Sequence, residues 1–280
     1  MTVLQNLHTH TTWCDGKDRS EDLLLQAMNQ GFDSVGFSAH SPMFYAPSHG
    51  MDEAKVPAYI AEIQSLKEAY RGKIEVFCGI ELDLYSKLDL DPYDYVIGSV
   101  HYLKIGDEYV GFDRNATTVK NVIDTYFGGD GLAYAKAYYR TLAELPSRGR
   151  IDVVGHFDLI TKHAEKESFF DPDSTDYRRY ALEAMEALLP TIPLFEINTG
   201  AIARGYRTTP YPSTFLLKEL RQRGGRVLIS SDCHDARFLA QSFLESIALA
   251  RACGFAEASI LTSQGFVSIP LDAMERRLLL

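Results

Sequence analysis

Short apolar runs rich in Val, Ile and Phe recur along the chain between longer segments with helical periodicity, the pattern of βα units around a parallel sheet or barrel. Strands are predicted at residues 3–7, 34–38, 74–80, 95–99, 151–155, 194–198 and 226–230, with 259–261 as an eighth candidate. Helices are predicted at 21–30, 57–70, 177–189, 213–223 and 240–253. Ser20 is placed to cap the first of them and Gly31 to stop it. Alternation this regular favours a closed or nearly closed β/α barrel over a sandwich or a helical bundle.

One stretch departs from the rhythm. Between His101 and His156 the chain carries a long segment rich in Tyr and Phe, including Tyr126, Phe127, Tyr134, Tyr138 and Tyr139. It is read as an elaborated loop with a helix over the barrel mouth. Its aromatics serve equally well to pack a long helix onto the barrel wall. No repeat, low-complexity segment or linker interrupts the 280 residues, so residues 1–280 are read as a single domain with an elaborated insert at about 102–150.

The net charge of −10 is spread along the chain and offers no basic footprint for nucleic acid or an anionic membrane. It does not argue against a small anionic substrate, because bound metal ions can reverse the field locally. Cys14, Cys78, Cys233 and Cys253 form no CxxC pair and suit a reducing compartment. No run is long enough to span a membrane, and His8 lies too early for a cleaved presequence to precede it. The expectation is a soluble, cytoplasmic protein.

The candidate chemistry sits where the predicted strands end. His8 and His10 close the first strand in LHTH, where i, i+2 spacing lets both rings point to one side. Asp15 follows in TTWCDG, His40 ends FSAH and Glu81 ends CGIE. His101 closes VIGSVH, His156 closes VVGHFD, and Asp232 with His234 closes ISSDCH. A lone HxH is weak, and a single Asp after a strand is often a helix cap. Six of eight histidines at strand ends are hard to attribute to core packing. A parallel barrel gathers those ends on one face. His49 and His163 fall outside the pattern and are read as surface or supporting residues.

The order HxH, Asp, His, CGxE, GSxH, GHxD and SDxH, over residues 7 to 235, resembles the polymerase and histidinol phosphatase (PHP) superfamily. GSVH at 98–101, GHFDLI at 155–160 and EINTG at 196–200, with Arg204 and Arg207, look most like its monofunctional histidinol-phosphatase branch. The resemblance implies a distorted, TIM-barrel-like (β/α)7 barrel with three divalent metal ions. It places His8, His10, Glu81 and Asp232 on one metal, and His101 and His156 on a second that Glu81 bridges to the first. Asp15, His40 and His234 would hold the third. Mixed imidazole and carboxylate donors suit Zn, Mn or Fe without choosing among them.

Three divalent ions carry six positive charges and three carboxylates remove three. The remainder suits a bridging hydroxide and a phosphate monoester dianion better than a neutral amide substrate. The expected reaction is hydrolysis of a small phosphate monoester, L-histidinol phosphate foremost, by attack of the bridging hydroxide in line on phosphorus. Glu81, Asp232 and His234 are the expected catalytic residues. Arg204, Arg207 and Lys162 are the candidate phosphate binders, each with a solvated loop charge as the alternative. Asp158 is a candidate acid or a helix cap. Phe44, Tyr45 and the segment from Tyr102 to Asp113 are the candidate contacts for an imidazole and an amine. Other readings are a related phosphoesterase acting on nucleotide or sugar phosphates and a metal-binding module without turnover. An amidohydrolase is weaker still, because no lysine stands at the equivalent strand ends.

Overall fold

A computed structural model of the chain describes residues 3–279. In chain order β1 (Gln5–Asn6), α1 (Ser20–Asn29), β2 (Ser34–Phe37), α2 (Val56–Ala69), β3 (Glu75–Asp83) and β4 (Tyr95–Ser99) build the first half. A hairpin of β5 (Tyr102–Ile105) and β6 (Glu108–Gly111), then α3 (Ala116–Phe127) and α4 (Gly131–Leu142), precede β7 (Val153–Val154). The second half runs α5 (Thr175–Leu188), β8 (Leu194–Asn198), α6 (Gly200–Ala203), α7 (Thr214–Gln222), β9 (Arg226–Ser230) and α8 (Phe243–Ala252). A last hairpin, β10 (Glu257–Thr262) and β11 (Gly265–Pro270), leads into α9 (Leu271–Leu278).

Seven strands pair in parallel in the order β1-β2-β3-β4-β7-β8-β9. The ring is distorted, because β1 and β7 have only two residues each. It joins across β1 and β9 just past their ends. There Thr9 bridges Cys233 in parallel, and the His10 amide donates to the Cys233 carbonyl at 2.9 Å. The barrel is therefore drawn closed where the histidines emerge.

The interior is a small apolar plug made of Leu7, Phe77, Tyr95, Ile97, Val153, Leu194 and Leu228. Tyr95 crosses it and donates a hydrogen bond to the Leu7 carbonyl. A Cβ on Gly36 would lie 2.3 Å from the Tyr95 hydroxyl, and one on Gly79 would lie 2.2 Å from its ring. These two glycines give Tyr95 its space. A larger apolar layer outside the ring joins strands to helices, as the alternation of inward and outward side chains requires.

Three local expectations are corrected. Ser20 is the first residue of α1 rather than its cap; Arg19 holds the cap position, and the Ser20 hydroxyl is buried without a partner. The candidate strand at 259–261 belongs to the antiparallel β10–β11 hairpin and not to the ring. It docks through Gln5, whose amide gives and takes one hydrogen bond with the Leu261 backbone, while Leu261 and Phe266 pack on the plug. The insert holds two helices and a hairpin. Its Tyr134, Tyr138 and Tyr139 are buried wall packing; Tyr138 donates to the Phe157 carbonyl and Tyr139 meets the Tyr177 hydroxyl at 2.7 Å. No helix among the described residues is long and apolar enough to cross a membrane.

Candidate metal centre

All nine residues singled out at the strand ends meet at one mouth of the barrel. Glu81 lies at the centre, two residues before the end of β3 rather than after it. Its Oε2 is 2.7 Å from His40 Nδ1, 3.4 Å from His8 Nε2 and 3.5 Å from His10 Nε2. Its Oε1 faces His156 Nε2 at 3.0 Å and His101 Nε2 at 3.5 Å. Asp232 Oδ1 lies 3.2 Å from His10 Nε2 and 3.7 Å from His8 Nε2. Asp15 faces His234 Nε2 at 3.2 Å and His40 Nε2 at 3.7 Å.

The division that the family resemblance implies puts His8, His10, Glu81 and Asp232 in a first group, Glu81 with His101 and His156 in a second, and Asp15, His40 and His234 in a third. By distance the donor atoms gather as His8, His10 and Asp232, as His40, Glu81 and His101, and as His10, Asp15, His40 and His234, so His10 and His40 are each shared between two gatherings. The third is the most open: the Asp15 side chain is 41% and that of His234 20% exposed, whereas the other seven are buried. Asp232 takes up a left-handed backbone conformation (φ 44°), which costs a residue other than glycine about 1–3 kcal/mol.

The donor set fits metal ions on a specific observation. His8 Nε2, His10 Nε2, His40 Nδ1 and Glu81 Oε2 are buried and face only one another and Asp232, with no hydrogen-bond partner outside the cluster. Leaving buried polar atoms unpaired costs about 1–3 kcal/mol each, so a cluster of them calls for a cation. In the metal-free chain, protons take that place. Burial alone would lower the His8 pKa, but Glu196, Glu81 and Asp232 raise it; burial is likewise outweighed at His40, which Glu81 and Asp15 push up to about 9. His101 is raised against its burial by Glu81 and Asp83. His10, buried and beside His234 and His40, falls to about 3. Burial would raise Glu81 and Asp232; the histidines around Glu81, and Arg204 with His8 at Asp232, instead hold both well below the usual carboxylate range.

Two carboxylates that the sequence reading gave no role stand behind the nine. Glu196, fully buried in β8, accepts from His8 Nδ1 at 2.8 Å and from the His156 amide at 2.6 Å. Asp83 accepts from the His101 amide at 2.9 Å and lies 3.3 Å from its Nδ1. Asp83 had a signal: it is two residues from Glu81 in β3 and so shares its face. Glu196 opens the EINTG run quoted for the family resemblance but was given no role there.

The cluster floors a cavity of about 660 Å³. Arg204 reaches into it, donating to Asp232 Oδ2 at 3.0 Å and to His234 Nδ1 at 2.8 Å. Burial opposes the charge of Arg204, and Asp232 more than restores it. Lys162 is on the same wall, 2.9 Å from Asp113 Oδ2 and over the Tyr206 ring. Arg207 does not line the cavity. It is buried in the wall, bonded to Thr161 and Thr209 and stacked over Tyr211, which corrects the expectation that it faces a phosphate.

Asp158 is also outside the cavity. Its side chain makes no cap bond to the turn it opens; it accepts instead from the Ser213 amide just before α7 at 3.0 Å, and burial raises its pKa. His49 lines the cavity, 3.0 Å from the Tyr102 hydroxyl, with its ring 4.7 Å from that of His40. His163 sits behind it, 3.2 Å from the Asp113 carbonyl. Tyr102 and Asp113 face the cavity, whereas Tyr45 is spent on Asp83 and Phe44 is exposed at the rim.

Fold and site together define a β/α barrel that carries a cluster of imidazole and carboxylate donors fit to hold metal at the C-terminal ends of its strands. Residues 6–200 match the PHP domain family, and the chain belongs to it. It is 28% identical over 268 residues to a Deinococcus radiodurans protein named "Probable histidinol-phosphatase", covering 91% of this chain and 95% of that one. It is 27% identical over 265 residues to the histidinol-phosphatase of Bacillus subtilis, covering 85% and 97%. Among solved structures, the Lactococcus lactis histidinol phosphate phosphatase, complexed with zinc, L-histidinol and phosphate, superimposes with a TM-score of 0.71 at 21% identity. The match covers 95% of this chain and 99% of that one.

Proposed function

We propose that the protein hydrolyses L-histidinol phosphate to L-histidinol and inorganic phosphate. The observation that carries this reading is the convergence of nine imidazole and carboxylate side chains, with unpartnered donor atoms, on the floor of a cavity that also holds Arg204. The phosphatase names of the relatives supply the substrate. Three ions would be held by the three groups above, with Glu81 common to the first two. When bound, divalent ions such as Zn, Mn or Fe supply charge to the phosphoryl oxygens and lower the pKa of an attacking water.

The chain's own side chains do the rest. Glu81, Asp232 and His234 fix the floor. Arg204 presents a guanidinium for the phosphoryl oxygens, and its bond to Asp232 aims it across the third donor group. Lys162, pinned by Asp113, adds a second positive charge. Asp113, Tyr102 and His49 form the polar and aromatic wall against which an imidazole and an amine would rest. The bond broken is between phosphorus and the alcohol oxygen; the bond formed is between phosphorus and the water oxygen. We place the reaction in the cytoplasm, in one domain that includes the 102–150 insert.

The test is steady-state phosphate release from L-histidinol phosphate beside a panel of nucleotide and sugar phosphates. A kcat/KM that is highest for histidinol phosphate supports the reading. Preference for another phosphate discards the substrate and keeps the chemistry, and no turnover with metal bound favours a module without catalysis.

Metal binding should also be linked to pH. The raised pKa values of His8, His40 and His101 mean that the metal-free site holds protons at neutral pH, and a metal must displace them. Apparent affinity is therefore expected to rise with pH through about 9, where His40 loses its proton. The stability that the His40 proton gives the metal-free chain has the opposite sign. It is complete below about 6.5 and lost as pH rises through about 9. Titration calorimetry in buffers of different ionisation enthalpy reads the protons released; none released at pH 7 would contradict this.

A further inference from the structure

We propose that Glu196 is the positioning residue that sets which nitrogen of His8 faces the metals and that ties the first donor group to the second. This rests on the reading of the nine side chains as a metal centre. A carboxylate only accepts hydrogen bonds, so its 2.8 Å contact with His8 Nδ1 places a proton there. In the neutral ring, Nε2 then carries the free lone pair. That nitrogen faces Glu81 Oε2 and Asp232 Oδ1 and has no hydrogen-bond partner.

The other oxygen of Glu196 accepts from the His156 backbone amide at 2.6 Å, just past β7, whose ring then meets Glu81 Oε1. Ser230 Oγ donates to Oε2 and Asn198 Nδ2 to Oε1, each at 2.7 Å. Rotating the carboxylate would break all four bonds. One buried group thus holds His8 of the first donor group and His156 of the second. Of the nine donors, Asp83 by contrast holds only His101. Asp15, His40 and His234 have no hydrogen bond or ion pair with Glu196 among the contacts described.

The experiment compares wild type, Glu196→Gln and Ser230→Ala. Each is stripped of metal, dialysed against chelator-buffered zinc or manganese, and counted by plasma mass spectrometry; circular dichroism follows melting of the metal-free forms. Glu196→Gln is expected to keep one ion at near wild-type affinity and to bind the other two about 10–100-fold more weakly, the usual effect of losing a group that orients a ligand. Ser230→Ala keeps the carboxylate but removes one of the four bonds that hold its orientation, so it should show a smaller loss confined to the same two ions, with metal-free melting unchanged. Wild-type affinity for every ion in Glu196→Gln, or equal weakening of all of them, would overturn the proposal. If Glu196→Gln does not fold, unchanged affinities in Ser230→Ala overturn it on their own. A wild type that does not bind three ions would count against the metal-centre reading instead, and is seen separately.

Discussion

Glu81→Gln is expected to lower kcat/KM for L-histidinol phosphate by about 10³-fold or more, equivalent to roughly 4 kcal/mol of transition-state stabilisation. The substitution keeps the volume of the side chain and removes its charge. Both oxygens of Glu81 face imidazoles, Oε2 toward His8, His10 and His40 and Oε1 toward His101 and His156. An amide in that place brings N–H donors against nitrogens that must offer lone pairs, and two donor groups lose their common member. Metal counting on the variant should show fewer ions per chain. Near wild-type turnover would remove Glu81 from the centre.

Arg204→Ala is expected to reduce kcat/KM by about 10²-fold, the loss of charge-assisted hydrogen bonds to a phosphoryl group at roughly 1.5–3 kcal/mol. Steady-state phosphate release with metal counting separates this from ligand loss. Arg204 reaches Asp232 and His234 from the cavity side, and the donors facing the cluster remain when it is removed. The ion count should therefore hold while the rate falls. Arg204→Lys should restore only part of the rate, because an ammonium cannot supply the two-pronged geometry of a guanidinium. Arg207→Ala offers the contrast. Its guanidinium is committed to Thr161, Thr209 and Tyr211, so its removal should act on stability rather than on phosphate binding.

That contrast shows where the sequence stops being readable. Arg204 and Arg207 are three residues apart in one loop after β8, and nothing in their spacing says that one enters the cavity and the other the wall. The nine donors were legible because parallel strands put their C-terminal ends on one face, so a polar residue after each apolar run needs no further information to be placed. The pairing of 259–261 was not legible, because an apolar run does not specify its partner. Its place was decided by Gln5 and by the plug that Leu261 completes. Asp83 and Glu196 were hidden for a related reason. Each contacts histidines distant in sequence, and a single acidic residue within a strand shows no periodicity that would reveal them. Ser20 failed as a cap because the helix began one residue early and left its hydroxyl buried.

The central claim is that nine side chains at the barrel mouth form a three-metal site for phosphate ester hydrolysis. It is tested most directly by titrating metal-free protein with zinc or manganese while recording phosphate release from L-histidinol phosphate. Activity is expected to be absent without metal and to reach its plateau only when three equivalents are bound. Full turnover in the stripped protein, or a plateau at one equivalent, would contradict it.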